Sequence, residues 1–300
     1  MAIKLSDENR AHIWWLGQMG LMVQIGNTKI CIDYYASPLE TRQVAPPIPA
    51  GDLTGIDAFL GTHDHLDHID HESWKIWART NPDAKFIFPE KHREAVLADG
   101  VNPSNAAGLN EGKCIQIGDI TIHAIAASHE FLDRDENGLY PYLQYIIEGN
   151  GVRIHHAGDT VRYEGMLPKI RSFGNIDLQL IPINGRDAKR YSENCIGNMT
   201  YQEAADLAGE TGSSFVIPGH WDMFADNGED PMKFADYISV KYPYGPKCIL
   251  PSVMEEMILY LSFSAKYCRF LQWLLRKLPK SNTNITISVS DECRSFYHPP

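Results

Sequence analysis

Cysteine is scarce, and no two cysteines are close in sequence. The six, Cys31, Cys114, Cys195, Cys248, Cys268 and Cys293, form no CxxC pair, so a thiolate-bound structural zinc has no support. Basic residues are in deficit: 27 Lys and Arg against 38 Asp and Glu give a formal net charge of -11. That balance favours solubility and weighs against nonspecific nucleic-acid binding. No apolar run approaches the roughly 20 residues a membrane-spanning helix needs, so no transmembrane segment is expected. Met1-Ala2-Ile3-Lys4-Leu5-Ser6 lacks the character of a signal peptide, and the scattered thiols are therefore expected to be reduced, in a cytoplasm. Linkers and low-complexity tracts are missing as well. With 300 residues and 44% hydrophobic content, the chain can bury a sizeable core in one domain or two closely fused halves.

One stretch is dense in chemistry. Thr62-His63-Asp64-His65-Leu66-Asp67-His68 places three histidines and two carboxylates within six positions. It follows Ile56-Asp57-Ala58-Phe59-Leu60-Gly61, a short apolar run closed by glycine that reads as a buried strand reaching a sheet edge. His63 and His65, two apart, project to the same side of extended chain and can grip one ion. Asp67 and His68 sit where the chain turns into the helical pattern of Ser73–Ala78 and can reach a second ion. Imidazole and carboxylate suit zinc, manganese or iron(II), and no cysteine lies in the cluster.

Two ions need more ligands than one loop supplies. Three further apolar strands end in candidates: Ile120–Ser128 at His129, Val152–Gly158 at Asp159, and Ser214–Gly219 at His220. A sheet would gather these strand ends along one edge. A carboxylate at Asp159 could bridge both ions, with His129 completing the first and His220 the second.

His63-x-His65-x-Asp67-His68, then His129, Asp159 and His220 in that order, resembles the metallo-β-lactamase superfamily of hydrolases. Trp14–Gly20, Thr62–Asp70, His156–Thr160, Asn184–Asp187, Asn198–Thr200 and Val216–Phe224 are similar to its branch containing L-ascorbate-6-phosphate lactonase. His129 departs from the lactonase pattern, which shows no clear histidine there. The resemblance runs from about residue 12 to about residue 250 and implies a four-layer αββα sandwich, two mixed β-sheets flanked by helices, of class α/β (α+β).

The site so read is a dinuclear one, with two divalent metal ions, zinc or manganese, about 3.5–4 Å apart holding a hydroxide that attacks a carbonyl or phosphorus. Asp67 is the candidate to orient that hydroxide and carry a proton to the leaving oxygen. Arg186 is the first candidate to bind a phosphate or carboxylate of a small-molecule substrate, and Arg162, Tyr163 and Tyr191 are weaker ones. Three activities are expected in order: a lactonase acting on a sugar-acid lactone, phosphorylated or not; a phosphodiesterase acting on a small or cyclic nucleotide; and a non-catalytic metal-binding scaffold. His71 and His92 read as helix-surface residues, His123 as a sheet residue, and His155 or His156 as packing beneath the site.

Ile13–Gly17, Leu21–Ile25 and Thr28–Asp33 read as a meander with Gly26-Asn27 as a turn. Glu90–Leu97 and Tyr201–Ala208 read as helices, the latter capped by Thr200. Residues 41–52, rich in proline, are expected to form a loop over the site. The hydrolase domain is expected to span 1–262. Residues 263–300 are expected to be a separate extension, including a basic amphipathic helix at Lys266–Leu278 expected to pack on the body, associate with a second copy or touch an anionic membrane. A homo-oligomer is left open.

Overall fold

Alternation of buried and half-buried positions along Arg10–Trp15, followed by buried Leu16 and Gly17, marks a strand that starts with one face in a core and ends fully covered. In the computed structural model, which describes residues 10–260, it is β1, and the meander continues through β2 (Gly20–Ile25) and β3 (Thr28–Ile32). The chain then adds β4 (Ala58–Leu60), β5 (Lys85–Pro89) and β6 (Ala106–Leu109), with helices α1 (His71–Thr80) and α2 (Arg93–Ala98) between them. A second series follows: β7 (Cys114–Ile117), β8 (Ile120–Ala126), β9 (Leu143–Gly149), β10 (Val152–His156), β11 (Leu178–Pro182), β12 (Phe215–Gly219) and β13 (Lys247–Cys248). Its helices are α3 (Met166–Ser172), α4 (Ala188–Ser192), α5 (Tyr201–Thr211) and α6 (Pro231–Lys241), and β14 (Glu256–Tyr260) returns to the first sheet. The expected extension at 263–300 lies outside the described residues, as do Cys268 and Cys293.

The two sheets repeat one hydrogen-bonding pattern. In the order β14-β1-β2-β3-β4-β5-β6, pairing is antiparallel as far as β3 and parallel beyond it. In the order β7-β8-β9-β10-β11-β12-β13, it is antiparallel as far as β10 and parallel beyond. β3 and β10 thus hold equivalent places, at the switch in each sheet where strand ends leave room for a ligand.

Apolar faces explain the layering. Ile13, Leu21, Ile30, Ile122, Tyr145 and Ile154 belong to one buried cluster drawn from both sheets. A second cluster packs the first sheet against Trp74 and Trp77 of α1, and a third packs the second sheet against Ile170, Leu207, Phe234 and Ile238 of α3, α5 and α6. This is the expected αββα sandwich.

Three local expectations change in detail. Glu90–Leu97 begins as a short 3-10 turn at Glu90–His92, where Glu90 forks onto Arg93 at 2.6 and 2.7 Å. The helix at Tyr201 runs on to Thr211, and Thr200 and Glu203 close a full capping box. Most of residues 41–52 covers the flank of α1, because Tyr34 donates to the Ile48 carbonyl at 2.5 Å and Trp77 to that of Ala50 at 3.0 Å. Only its start, where Gln43 N donates to Met223 O at 2.8 Å, approaches the loop after His220.

Candidate metal centre

Every candidate ligand follows a strand. His63 to His68 follow β4, His129 follows β8, Asp159 follows β10 and His220 follows β12. The loops of the two halves nest directly. Gly158, at φ +56°, lies so close to Thr62 and the Leu143 carbonyl that a Cβ there would fall 2.8–2.9 Å from them. Leu143 N also donates to Thr62 O at 2.9 Å, so Asp159 is carried onto the His63 loop by backbone contact.

Three overlapping groups of ligand atoms result: His63, His65 and His129; His63, His68 and Asp159; Asp67, His68 and His220. Within each group all ligand atoms lie within 4.8 Å of one another, and together the groups contain the seven residues singled out in the sequence. His68 Nε2 is 3.4 Å from Asp159 Oδ1 and 3.6 Å from Asp67 Oδ2, while His220 Nε2 is 3.2 Å from Asp159 Oδ2 and 3.5 Å from Asp67 Oδ2.

The electrostatics separate two sides. Burial, with His68 and His65 adding to it, holds His63 well below its ordinary value. Burial also lowers His65, and it takes His129 to about 4 against the pull of Asp159. Each shift favours the neutral imidazole, the form that ligates. Around His68 the opposite holds: burial would lower it, but Asp159, Asp67 and Asp33 together keep it well above the ordinary value. Asp159 is buried, yet His220 and His68 hold its carboxyl well below the usual range.

A metal fits this arrangement. His68 Nε2, His129 Nδ1 and Asp159 Oδ1 are buried polar atoms without a hydrogen-bond partner, and such atoms are costly unless something else satisfies them. Neutral imidazole nitrogens and carboxylate oxygens turned toward one another are a divalent-cation donor set.

Three residues that the sequence reading did not single out hold the ligands. Asp33 accepts from Thr62 N at 2.8 Å, Thr62 Oγ1 at 2.7 Å and His68 Nδ1 at 2.7 Å, which fixes the tautomer and leaves Nε2 facing the site. Gln18 Nε2 donates to Asp67 Oδ2 at 3.0 Å and lies 3.2 Å from the His220 ring nitrogens, while Gln18 O accepts from His220 N at 3.1 Å. Tyr142 sets its ring 5.3–5.4 Å from those of His63 and His129. Gln18, Asp33, Glu130 and His220 all have positive φ without being glycine, a sparsely populated conformation that gathers at functional loops.

Three other histidines take definite places. His156 Nε2 donates to Met19 O at 2.8 Å, and His155 sits between Gln144 and Gln179 at 2.9 and 2.8 Å, both histidines fully buried beneath the ligands. His71 is not an idle surface residue: it binds Asp64 at 2.7 Å and Asp99 at 2.5 Å, so it anchors the residue between His63 and His65. Those bonds, to Asp64 first and then Asp99, raise its imidazole from 6.5 to about 10. A raised folded-state value means the contribution is fully present below the unfolded value and is lost as pH rises through about 10. His71 is partly exposed, which trims the energy by screening. His71→Gln is therefore expected to cost about 1–2 kcal/mol at about pH 6 and close to nothing above about pH 10, read by urea denaturation at both pH values.

The substrate-binding candidates are placed differently from one another. Arg162 pairs with Glu210 at 2.5 Å and is not among the residues lining the cleft beside the ligands. Arg186 does line that cleft of about 460 Å³, but its guanidinium forks onto Glu203 at 2.7 and 2.8 Å. Carboxylates on α5 thus pair with both guanidinium groups. Tyr191 lines the same cleft with Glu130, Phe131 and Cys195, and Tyr163 donates to Ala126 O at 2.6 Å.

Comparisons with known proteins agree with this geometry. Residues 28–221 match the Beta-lactamase superfamily domain. A metal-dependent hydrolase of Caldivirga maquilingensis is 26% identical over 78% of this chain and 92% of its own. A Salmonella enteritidis protein named "Probable L-ascorbate-6-phosphate lactonase UlaG" is 24% identical over 74% of this chain and 72% of its own. In structure, the metallo hydrolase Igni18 of Ignicoccus hospitalis shares the fold with a TM-score of 0.67 at 20% identity, covering 84% of this chain and all of that one. With the matched domain spanning well over half of the sequence, the chain belongs to the metallo-β-lactamase superfamily and is a metal-dependent hydrolase of it.

Proposed function

We propose that this hydrolase uses a dinuclear centre to open a small lactone. The observation that carries the reading is a pair of ligand groups with no residue in common, His63, His65 and His129 beside Asp67, His68 and His220, with buried polar atoms of His68, His129 and Asp159 left without protein partners. Divalent ions, when bound, lower the pKa of water and polarise an oxygen of the substrate. On this reading His63, His65 and His129 would hold one ion and Asp67, His68 and His220 the other, with Asp159 available to both. Gln18 and His220 fix the Asp67 carboxylate, so Asp67 orients the attacking water and carries its proton to the leaving oxygen. The water oxygen bonds to the lactone carbonyl carbon, the ring C–O bond breaks, and the product is a hydroxy acid. The relative named as a lactonase supports this chemistry. The pairing of Arg162 with Glu210 and of Arg186 with Glu203 weighs against a phosphodiesterase, whose substrate carries an obligatory anion.

The test is hydrolysis of a γ-lactone and of a generic phosphodiester by protein loaded with zinc or manganese. Metal-dependent lactone opening that falls at least about 100-fold in Asp67→Asn is expected. Phosphodiester turnover alone would replace the reading.

A further inference from the structure

The cleft beside His129 and Asp159 has a wall of unusual character for a site expected to take a charged sugar. Phe131 and Tyr191 both line it while remaining 64% and 63% exposed. Val161 and Ile196 line it too. This apolar wall is tied to the ligand loops: Phe131 forms a β-bridge with His129, and Val161 N donates to Ser128 O at 2.7 Å. Large apolar side chains left to solvent around a concave site are where a ligand gains most by covering them.

The charges point the same way. Glu130 and Asp187 line the cleft, and the arginine beside them, Arg186, is held by Glu203 and by the Asn198 carbonyl at 2.9 Å. Arg190, on α4, is likewise held by Asp187 at 2.7 Å and by the Asn184 carbonyl at 2.6 Å. A phosphate entering here would meet Glu130 and would have to break the Arg186–Glu203 fork or the Arg190–Asp187 pair before finding a cation.

We infer that the cleft receives an aryl or alkyl substituent of an uncharged lactone, with Phe131 and Tyr191 as the residues that select it. That the ligand is a lactone rests on the proposed function; the selection of a neutral, apolar arm over a phosphorylated one rests on the wall itself.

Binding is tested apart from turnover with two γ-lactams that present the same ring, one carrying a phenyl group and the other a phosphomethyl group. Isothermal titration calorimetry uses the metal-loaded protein. The phenyl lactam is expected to bind at least about tenfold more tightly than the phosphorylated one, and Phe131→Ala and Tyr191→Ala each weaken it by about three- to tenfold. Both side chains are mostly exposed, so the variants are expected to keep the wild-type circular dichroism. Equal or tighter binding of the phosphorylated lactam, no binding of either, or phenyl binding untouched by both substitutions overturns the assignment. The matching phenyl lactone is assayed separately: a phenyl lactam that binds as expected beside a lactone that is not opened would retain the cleft's preference and remove the lactonase.

Discussion

Asp159→Asn is expected to lose metal affinity by more than the roughly 10–100-fold typical of residues that only support a ligand, and hydrolysis with it. The side chain keeps its size, so the loss would come from charge. Asp159 sets one oxygen 3.4 Å from His68 and the other 3.2 Å from His220 and 3.8 Å from His129, so on the proposed dinuclear reading it would be the carboxylate that both ions share. An amide presents only one acceptor oxygen and no charge to a cation. Equilibrium dialysis of wild type and variant against zinc reads the affinity directly. Affinity within about threefold of wild type would remove Asp159 from the ligand set, since even a supporting partner should cost more.

The second large effect belongs to a residue that binds no substrate. Asp33→Ala leaves Thr62 N, the Thr62 hydroxyl and His68 Nδ1 without their common acceptor in a fully buried site. Orphaning three buried donors at once is expected to cost about 3–5 kcal/mol of stability. Part of that would come from alanine at φ +46°. Asp33→Asn separates the terms: asparagine tolerates the backbone, so stability recovers in part, while metal affinity stays about 10–100-fold down because the carboxylate behind His68 is gone. Denaturant titration of the metal-free proteins measures the first quantity and dialysis the second. A loss below about 1 kcal/mol in the alanine variant would mean that the network is not stabilising.

These two aspartates show what could and could not be read from the sequence. The density of Thr62–His68 and the repeated arrangement of an apolar strand ending in a ligand were legible, because both are local patterns with one physical reading. Asp33 ends its own apolar strand just as Asp159 does, in the equivalent place of the other sheet. It passed unnoticed because a single aspartate after β3 carries no histidine beside it to mark chemistry. Gln18 was illegible for another reason: its partners Asp67 and His220 lie 49 and 202 residues away. Distance in sequence likewise hid the partners of the arginines: Glu203 lies 17 residues from Arg186 and Glu210 lies 48 residues from Arg162. His71 looked like a surface residue for want of its link to Asp99. The layered fold was legible because period-two burial and short apolar strands leave few ways to pair, whereas the place of residues 41–52 depended on two aromatic side chains, Tyr34 and Trp77, that could be assigned no partner in advance.

The most direct test of the proposed dinuclear centre is the metal content of the purified protein after loading with zinc or manganese and desalting, measured by mass spectrometry of the elements beside Asp159→Asn. Two ions per wild-type chain, and a clear loss in the variant, are the predicted result. A wild-type chain that retains no metal, or a variant that retains as much as wild type, would contradict it.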